Sequence, residues 1–137
     1  MKIVIIDGQG GRMGKVVVEQ LKQSLPEYEL IAIGTNSIAT TVMLKAGADL
    51  GATGENPVVV NCSDADIIIG PIGIVIANSL LGEITPAMAL AVTQSKSQKI
   101  LIPVSRCNIT VAGTKELPLT EYVQLVVAQL KQIIGKL

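Results

Sequence analysis

The chain contains no histidine, no tryptophan and no phenylalanine, and two tyrosines are its only aromatic residues. Without histidine it lacks the commonest general base near neutral pH and the commonest nitrogen ligand of metals, so no metal site is expected. Too few rings remain to stack nucleobases, and any core must be aliphatic. Charge is equally sparse: 11 Lys and Arg balance 11 Asp and Glu, for a formal net charge of zero. That excludes the basic surface on which nucleic-acid binding rests. Cysteine is limited to Cys62 and Cys107, which are not spaced as metal ligands and form no C-x-x-C. Two isolated thiols point to a reducing compartment, and the protein is expected to be cytoplasmic. The most apolar run, Ile67 to Leu81, is short for a bilayer and is interrupted by Gly70, Pro71, Gly73 and Asn78. An apolar strand begins almost at once, so no signal or transit segment is expected, nor any membrane partner.

What the chain has is aliphatic residue and glycine. Hydrophobic residues make up 49% of the 137, and mean hydropathy is +0.54. That length supports one domain, residues 1–137, with a real core. The high hydropathy implies an apolar surface patch, most simply covered in a homodimer.

The patterning alternates strand and helix. Lys2 to Asp7 is a continuous β-branched run of the kind found in a parallel strand covered on both faces. Arg12 to Leu25 follows with Met13, Val16, Val17, Leu21 and Leu25 on one helical face, and Pro26 ends it. Glu29 to Gly34 reads as a second strand, Thr35-Asn36-Ser37 as a turn supplying helix caps, and Ile38 to Lys45 as a helix with Ile38, Val42 and Ala46 inward. Gly47 to Pro57 reads as a loop, Val58 to Asn61 as a third strand and Asp66 to Gly70 as a fourth. Ile72 to Gly82 is ambiguous between a short helix and an extended strand, with helix preferred. Thr85-Pro86 starts a helix that runs to about Ser95. Lys99 to Val104 and Asn108 to Ala112 are the last strands, the latter at an edge, and Pro118 to Gly135 is a final amphipathic helix. This order predicts an α/β, Rossmann-like three-layer sandwich with a mainly parallel sheet of about six strands. Ligands of such folds sit beyond the carboxyl ends of the strands: here Asp7 to Gly11, Gly34 to Ser37, Asn61 to Ser63, Gly70 to Gly73 and Pro103 to Cys107.

The first of these ends is the most informative. Gly8, Gly10, Gly11 and Gly14 make a glycine-rich turn between strand and helix. Glycine lets a ligand approach the backbone, and the helix N-terminus favours an anion such as phosphate. The string Gly8-Gln9-Gly10-Gly11-Arg12-Met13-Gly14 resembles the pyridine-nucleotide fingerprint G-x-x-G-R-M-G of the dihydrodipicolinate reductase family. That resemblance implies a Rossmann domain binding NADP or NAD, with Gly8, Gly11 and Gly14 shaping the turn, Met13 packed behind it and Arg12 near the phosphates. The reductases carry a second domain with a histidine pair, and this chain has neither, so the resemblance supports no reductase activity. Over its whole length the chain is similar to a small uncharacterised bacterial family of single Rossmann-like domains. That similarity includes the GRMG turn, Leu81-Gly82-Glu83-Ile84-Thr85-Pro86, and Lys99 to Pro103 with Cys107.

Two features depart from an ordinary dinucleotide site. NAD sites carry a carboxylate after the second strand to grip the ribose, whereas this chain has Gly34-Thr35-Asn36-Ser37. Thr35 and Asn36 would offer neutral groups instead, and Arg12 is the nearest cation to favour NADP. Asp7 sits where a carboxylate repels pyrophosphate unless a cation or hydroxyl intervenes; it either bonds the N–H groups of the turn itself or serves a metal or ribose role, with the first preferred. Gly70 and Pro71 fall where the nicotinamide side would lie, or form a plain turn. Arg106-Cys107 lies at a strand end, as an activated thiol or a buried one. Glu83 is expected to serve the dipole of the following helix.

The function expected is therefore binding of a small-molecule nucleotide, NADP or NAD, by a sensor or accessory protein. The cofactor-binding set is Gly8, Gln9, Gly10, Gly11, Arg12, Met13, Gly14, Thr35, Asn36, Gly70 and Pro71, and no catalytic residue is assigned. Two other readings stand beside it. One is a small oxidoreductase completed across a homodimer, using Arg106, Cys107 or Glu83. The other is a structural or regulatory interaction domain whose glycine turn is vestigial.

Overall fold

A computed structural model describes residues 1–104 and 108–137. Five strands and five α-helices are defined among them, in the order β1 (Ile3–Asp7), α1 (Arg12–Ser24), β2 (Leu30–Gly34), α2 (Ser37–Ala46), β3 (Leu50–Thr53), α3 (Glu55–Cys62), β4 (Ile67–Pro71), α4 (Pro86–Gln94), β5 (Gln98–Ile102) and α5 (Leu119–Gly135). The sheet order is β3-β2-β1-β4-β5 and every pairing is parallel. This is a Rossmann-like sandwich.

Alternation along β1 divides the core in two, because successive side chains of a strand face opposite ways. Ile3 and Ile5 pack with Val17, Val18 and Leu21 of α1, Met43 of α2, and Val123, Val126 and Leu130 of α5. Val4 and Ile6 pack on the other face with Val58 and Cys62 of α3, and Met88, Ala89 and Val92 of α4. With β1 covered by helical layers on both faces, Ile3 to Ile6 must be apolar, as they are, and Asp7, at the carboxyl end, is the strand's one buried polar residue. Burial pushes the Cys62 thiol up to about 11, so it stays protonated and behaves as a small apolar side chain.

The structure corrects several expectations. The sheet has five strands among the described residues, not six: Asn108 to Ala112 forms no strand. Val58 to Asn61 belongs to α3, where Val58 and Cys62 are buried one turn apart while Val59 and Val60 face outward. Three consecutive valines mimic a strand locally, but Pro57 lies in the first helical turn, where a missing N–H costs nothing. The third strand is Leu50–Thr53, inside the expected loop, and its place is set by pairing with β2 rather than by its own composition. In α2 the inward face is Ala39, Thr40 and Met43, and Ile38 is exposed. Ile72 to Gly82 contains one 3₁₀ turn, Ile72–Val75, followed by tight turns. The α4 start is as expected: Thr85 Oγ1 accepts from the Met88 N–H and Pro86 opens the helix.

Candidate functional site

The strand order reverses between β1 and β4, since β1 leads outward to β2 and β4 leads outward to β5. Loops leaving two strands in opposite directions part there, leaving a crevice beyond their carboxyl ends. A cleft of about 650 Å³ occupies that position, within the range of small-molecule sites, about 300–1,000 Å³. One wall is the turn from Asp7 to Met13; the other is Pro71, Gly73 and the loop Asn78 to Leu81, with Val104, Leu117 and Leu119 at the far side.

The glycines of the turn have different reasons to be glycine. Gly11 caps α1 with φ +72°, and a Cβ there would lie 2.8 Å from the Ala39 Cα and 3.1 Å from its carbonyl oxygen. It is fixed by the close crossing of α1 and α2. Gly14 packs against Met43, whose Sδ would be 2.4 Å from an added Cβ. Gly8 lies under Thr35, Glu83 and Leu80. Gly10 differs. Among the described residues a Cβ on it would meet nothing within 4 Å, and its φ is outside the left-handed region. Its N–H makes no bond to the chain among the described residues. It is exposed and lines the cleft.

Other amides of the turn are held by two carboxylates. Asp7 accepts from the Gly8 N–H at 2.8 Å and the Gly14 N–H at 2.7 Å, so it occupies the start of α1 itself. Burial raises its pKa, opposed by those amides and reinforced by the charge of Glu83. Glu83 does not serve α4, which Thr85 caps. It reaches back to the turn, where its Oε1 accepts from the Gln9 N–H at 2.8 Å, from Asn36 Nδ2 at 2.9 Å and from Thr35 Oγ1. Partial desolvation works against its charge, but the bonds from Thr35, Gln9 and Asn36 outweigh it and hold its pKa below the ordinary glutamate value. Asn36 ties the corner together: its Oδ1 caps α2 at the Ala39 N–H, and its Nδ2 also donates to the Gln9 carbonyl, each at 2.9 Å.

The loop that carries Glu83 is unusual in its backbone. Asn78, Leu80 and Leu81 all have positive φ, at 64°, 54° and 56°, and Gly82 follows at 87°. Left-handed leucine costs roughly 1–2 kcal/mol, so two in succession require compensation. The compensation is visible: the Asn78 N–H donates to the Ile84 carbonyl at 2.7 Å, the Ile84 N–H to the Ser79 carbonyl at 3.2 Å, and the Ser79 hydroxyl to the Gly73 carbonyl. Leu81 is 96% exposed on the rim of the cleft.

A family described as a domain of unknown function, DUF3842, matches residues 2–135. The chain belongs to the DUF3842 family. No curated protein and no solved structure gave a match.

In this DUF3842 chain the expected site residues divide into two groups. Gly8, Gln9, Gly10, Gly11, Arg12, Met13 and Pro71 line the cleft. Gly14 packs into the α1–α2 contact, and an added Cβ on Gly70 would press on the Ile6 carbonyl at 2.6 Å. Thr35 and Asn36 are half-buried beside the cleft, bonded to Glu83. Arg106 and Cys107 lie outside the described residues. Sequence reasoning missed the wall from Asn78 to Leu81, Val104, Leu117 and Leu119, and the reach of Glu83 to Gln9. One signal for Glu83 was present: the carboxylate absent after β2 had to come from elsewhere if the corner was to hold one. Among the described residues no group of three metal-ligating side chains assembles. No described helix is long and apolar enough to cross a membrane.

Proposed function

We propose that this chain binds a pyridine dinucleotide, NAD or NADP, in the cleft between β1 and β4, as a sensor or an accessory to a partner that supplies chemistry. Gly10 carries the reading. Its neighbours Gly8, Gly11 and Gly14 each have a packing reason inside the chain, but Gly10 keeps an open flank and an N–H directed to no chain acceptor among the described residues. A missing side chain with no internal neighbour to accommodate suits a ligand that comes against the backbone. The exposed guanidinium of Arg12 beside it suits a phosphate. The likeness of the turn to the reductase fingerprint supports the same ligand class. The two acids restrict where a pyrophosphate can lie: it must meet the turn at Gly10 and Arg12, because Asp7 and Glu83 already hold the amides of Gly8, Gly14 and Gln9.

Thermal denaturation of the purified chain with millimolar NADH, NADPH, ATP or S-adenosylmethionine tests the proposal. A ligand at 100 times its Kd stabilises by about 2.7 kcal/mol, so a shift with the dinucleotides is expected, and no shift with either overturns it. We assign the protein to the cytoplasm of a bacterium as part of the same proposal, and to a homodimer. The apolar groove lined by Ile100, Leu101, Tyr122, Leu125 and Val126 favours the dimer, and sedimentation equilibrium at micromolar concentration tests it.

A further inference from the structure

We propose that Glu83 is the residue that reads the adenosine ribose, and that it selects a nucleotide with free 2′- and 3′-hydroxyls, as in NAD, over one bearing a 2′-phosphate. The inference rests on the dinucleotide reading above and adds the specificity of the site.

A dinucleotide in a Rossmann-like sheet lays its adenosine toward the end of β2, where a carboxylate usually accepts from the ribose hydroxyls. This chain has no acid there, because β2 ends in Gly34 and is followed by Thr35 and Asn36. The fold nevertheless delivers one. The loop between β4 and α4 passes over the carboxyl end of β1 and places the Glu83 carboxylate against both residues and against the Gln9 amide. Three donors from two separate elements fix this carboxylate, so it is preorganised rather than swinging in solvent. Among the described residues every one of those bonds goes to Oε1, which leaves Oε2 as an acceptor for a hydroxyl pair. Glu83, Thr35 and Asn36 are all half-exposed, so the corner is open to a ligand. It adjoins the cleft: Glu83 lies against Gly8 and Gln9, which line the cleft, while Glu83 itself stands behind them.

A fixed negative charge in this position discriminates by charge and by hydrogen bonding together. A diol donates to a carboxylate, and such charge-assisted bonds are about twice as strong as neutral ones. A 2′-phosphate offers no comparable donor and repels the carboxylate at close range. Bonding to Thr35, Gln9 and Asn36 keeps Glu83 ionised at neutral pH, so the discrimination operates there.

The test compares NADH and NADPH affinities by calorimetry for the natural chain and for Glu83→Gln, which keeps size and one carbonyl acceptor but removes the charge. The natural chain is expected to bind NADH at least about tenfold more tightly, and Glu83→Gln to narrow that ratio to within about threefold, mainly by improving NADPH. Thr35→Val, which loosens the carboxylate but leaves its charge, should weaken NADH while keeping NADPH the poorer ligand. A preference for NADPH in the natural chain, or an equal loss of both ligands in Glu83→Gln, overturns the role of Glu83 while leaving dinucleotide binding intact. Equal losses are what a purely structural tether for the loop would give. If the natural chain binds neither ligand, the dinucleotide reading itself falls, and this inference with it. Melting curves of both variants without ligand confirm that each is folded.

Discussion

Neighbouring glycines in one turn should respond in opposite ways to the loss of glycine, and Gly10 and Gly11 provide the comparison. At Gly11 an added Cβ meets the Ala39 Cα at 2.8 Å, its carbonyl at 3.1 Å and Val42 Cβ at 3.3 Å, on a backbone with φ +72°. The left-handed conformation costs an alanine about 1 kcal/mol. The overlap is with backbone, so α2 must move away from α1, and overpacking of that kind costs typically 1–3 kcal/mol. Gly11→Ala should therefore lose about 2–4 kcal/mol, or roughly 10 °C in Tm for a chain of this size. At Gly10 the same atom enters open space. Gly10→Val should change stability by no more than about 0.5 kcal/mol, as surface substitutions usually do. It should instead weaken NADH by about tenfold or more, because its branches stand where the phosphates must meet the amide. Urea denaturation measures the first quantity and calorimetry with NADH the second. If Gly10→Val unfolds as easily as Gly11→Ala, the turn has an internal constraint that the geometry does not contain. If it stays folded and binds NADH as the natural chain does, no ligand comes against Gly10, and the argument for the site is lost.

Three further outcomes follow from the geometry. Leu81 is 96% exposed at φ 56°, so Leu81→Gly should leave stability unchanged or raise it by about 0.5 kcal/mol, while Leu81→Val should cost at least about 1 kcal/mol; equal urea midpoints for the two would refute the strain. Asp7 titrates above the ordinary aspartate value because burial, and then the charge of Glu83, disfavour its ionised form. Its stabilising contribution is thus fully present below that ordinary value and is lost as pH rises through the raised one. Removing the neighbouring charge in Glu83→Gln should lower the Asp7 pKa, read by carbon NMR of the carboxyl group; an unchanged value would mean that the two acids do not interact. The Cys62 thiol, buried and pushed up to about 11, should resist iodoacetamide in the folded protein at pH 8 and react fully in denaturant, as peptide mass mapping would show. Rapid native alkylation of Cys62 would contradict its burial between α3 and the sheet.

Local pattern was enough for the parts of this chain in which each residue's partners are close in sequence. The apolar run of β1 could only be a strand covered on both faces, the Thr85-Pro86 pair could only open a helix, and the amphipathic pattern from Pro118 to Gly135 located α5. The glycine turn was legible for the same reason, as a strand, a tight turn and a helix start lie within a dozen residues. Composition set the absence of histidine chemistry and the aliphatic core before any coordinates were needed.

What depended on distant partners was not legible. Leu50–Thr53 is a strand because β2 offers it an edge, and Val58 to Asn61 is helical because α3 buries Val58 and Cys62 against the sheet. Sequence alone could not tell why each glycine was needed, since Gly11 answers to Ala39 and Gly10, among the described residues, to none within reach. It also placed Glu83 with the helix that follows it, although 74 residues separate it from the Gln9 amide it accepts from. Propensity and periodicity act over one or two turns of chain. A carboxylate brought to the end of β2 by a loop from β4 comes from the order of strands in the sheet, and only the folded arrangement decides that.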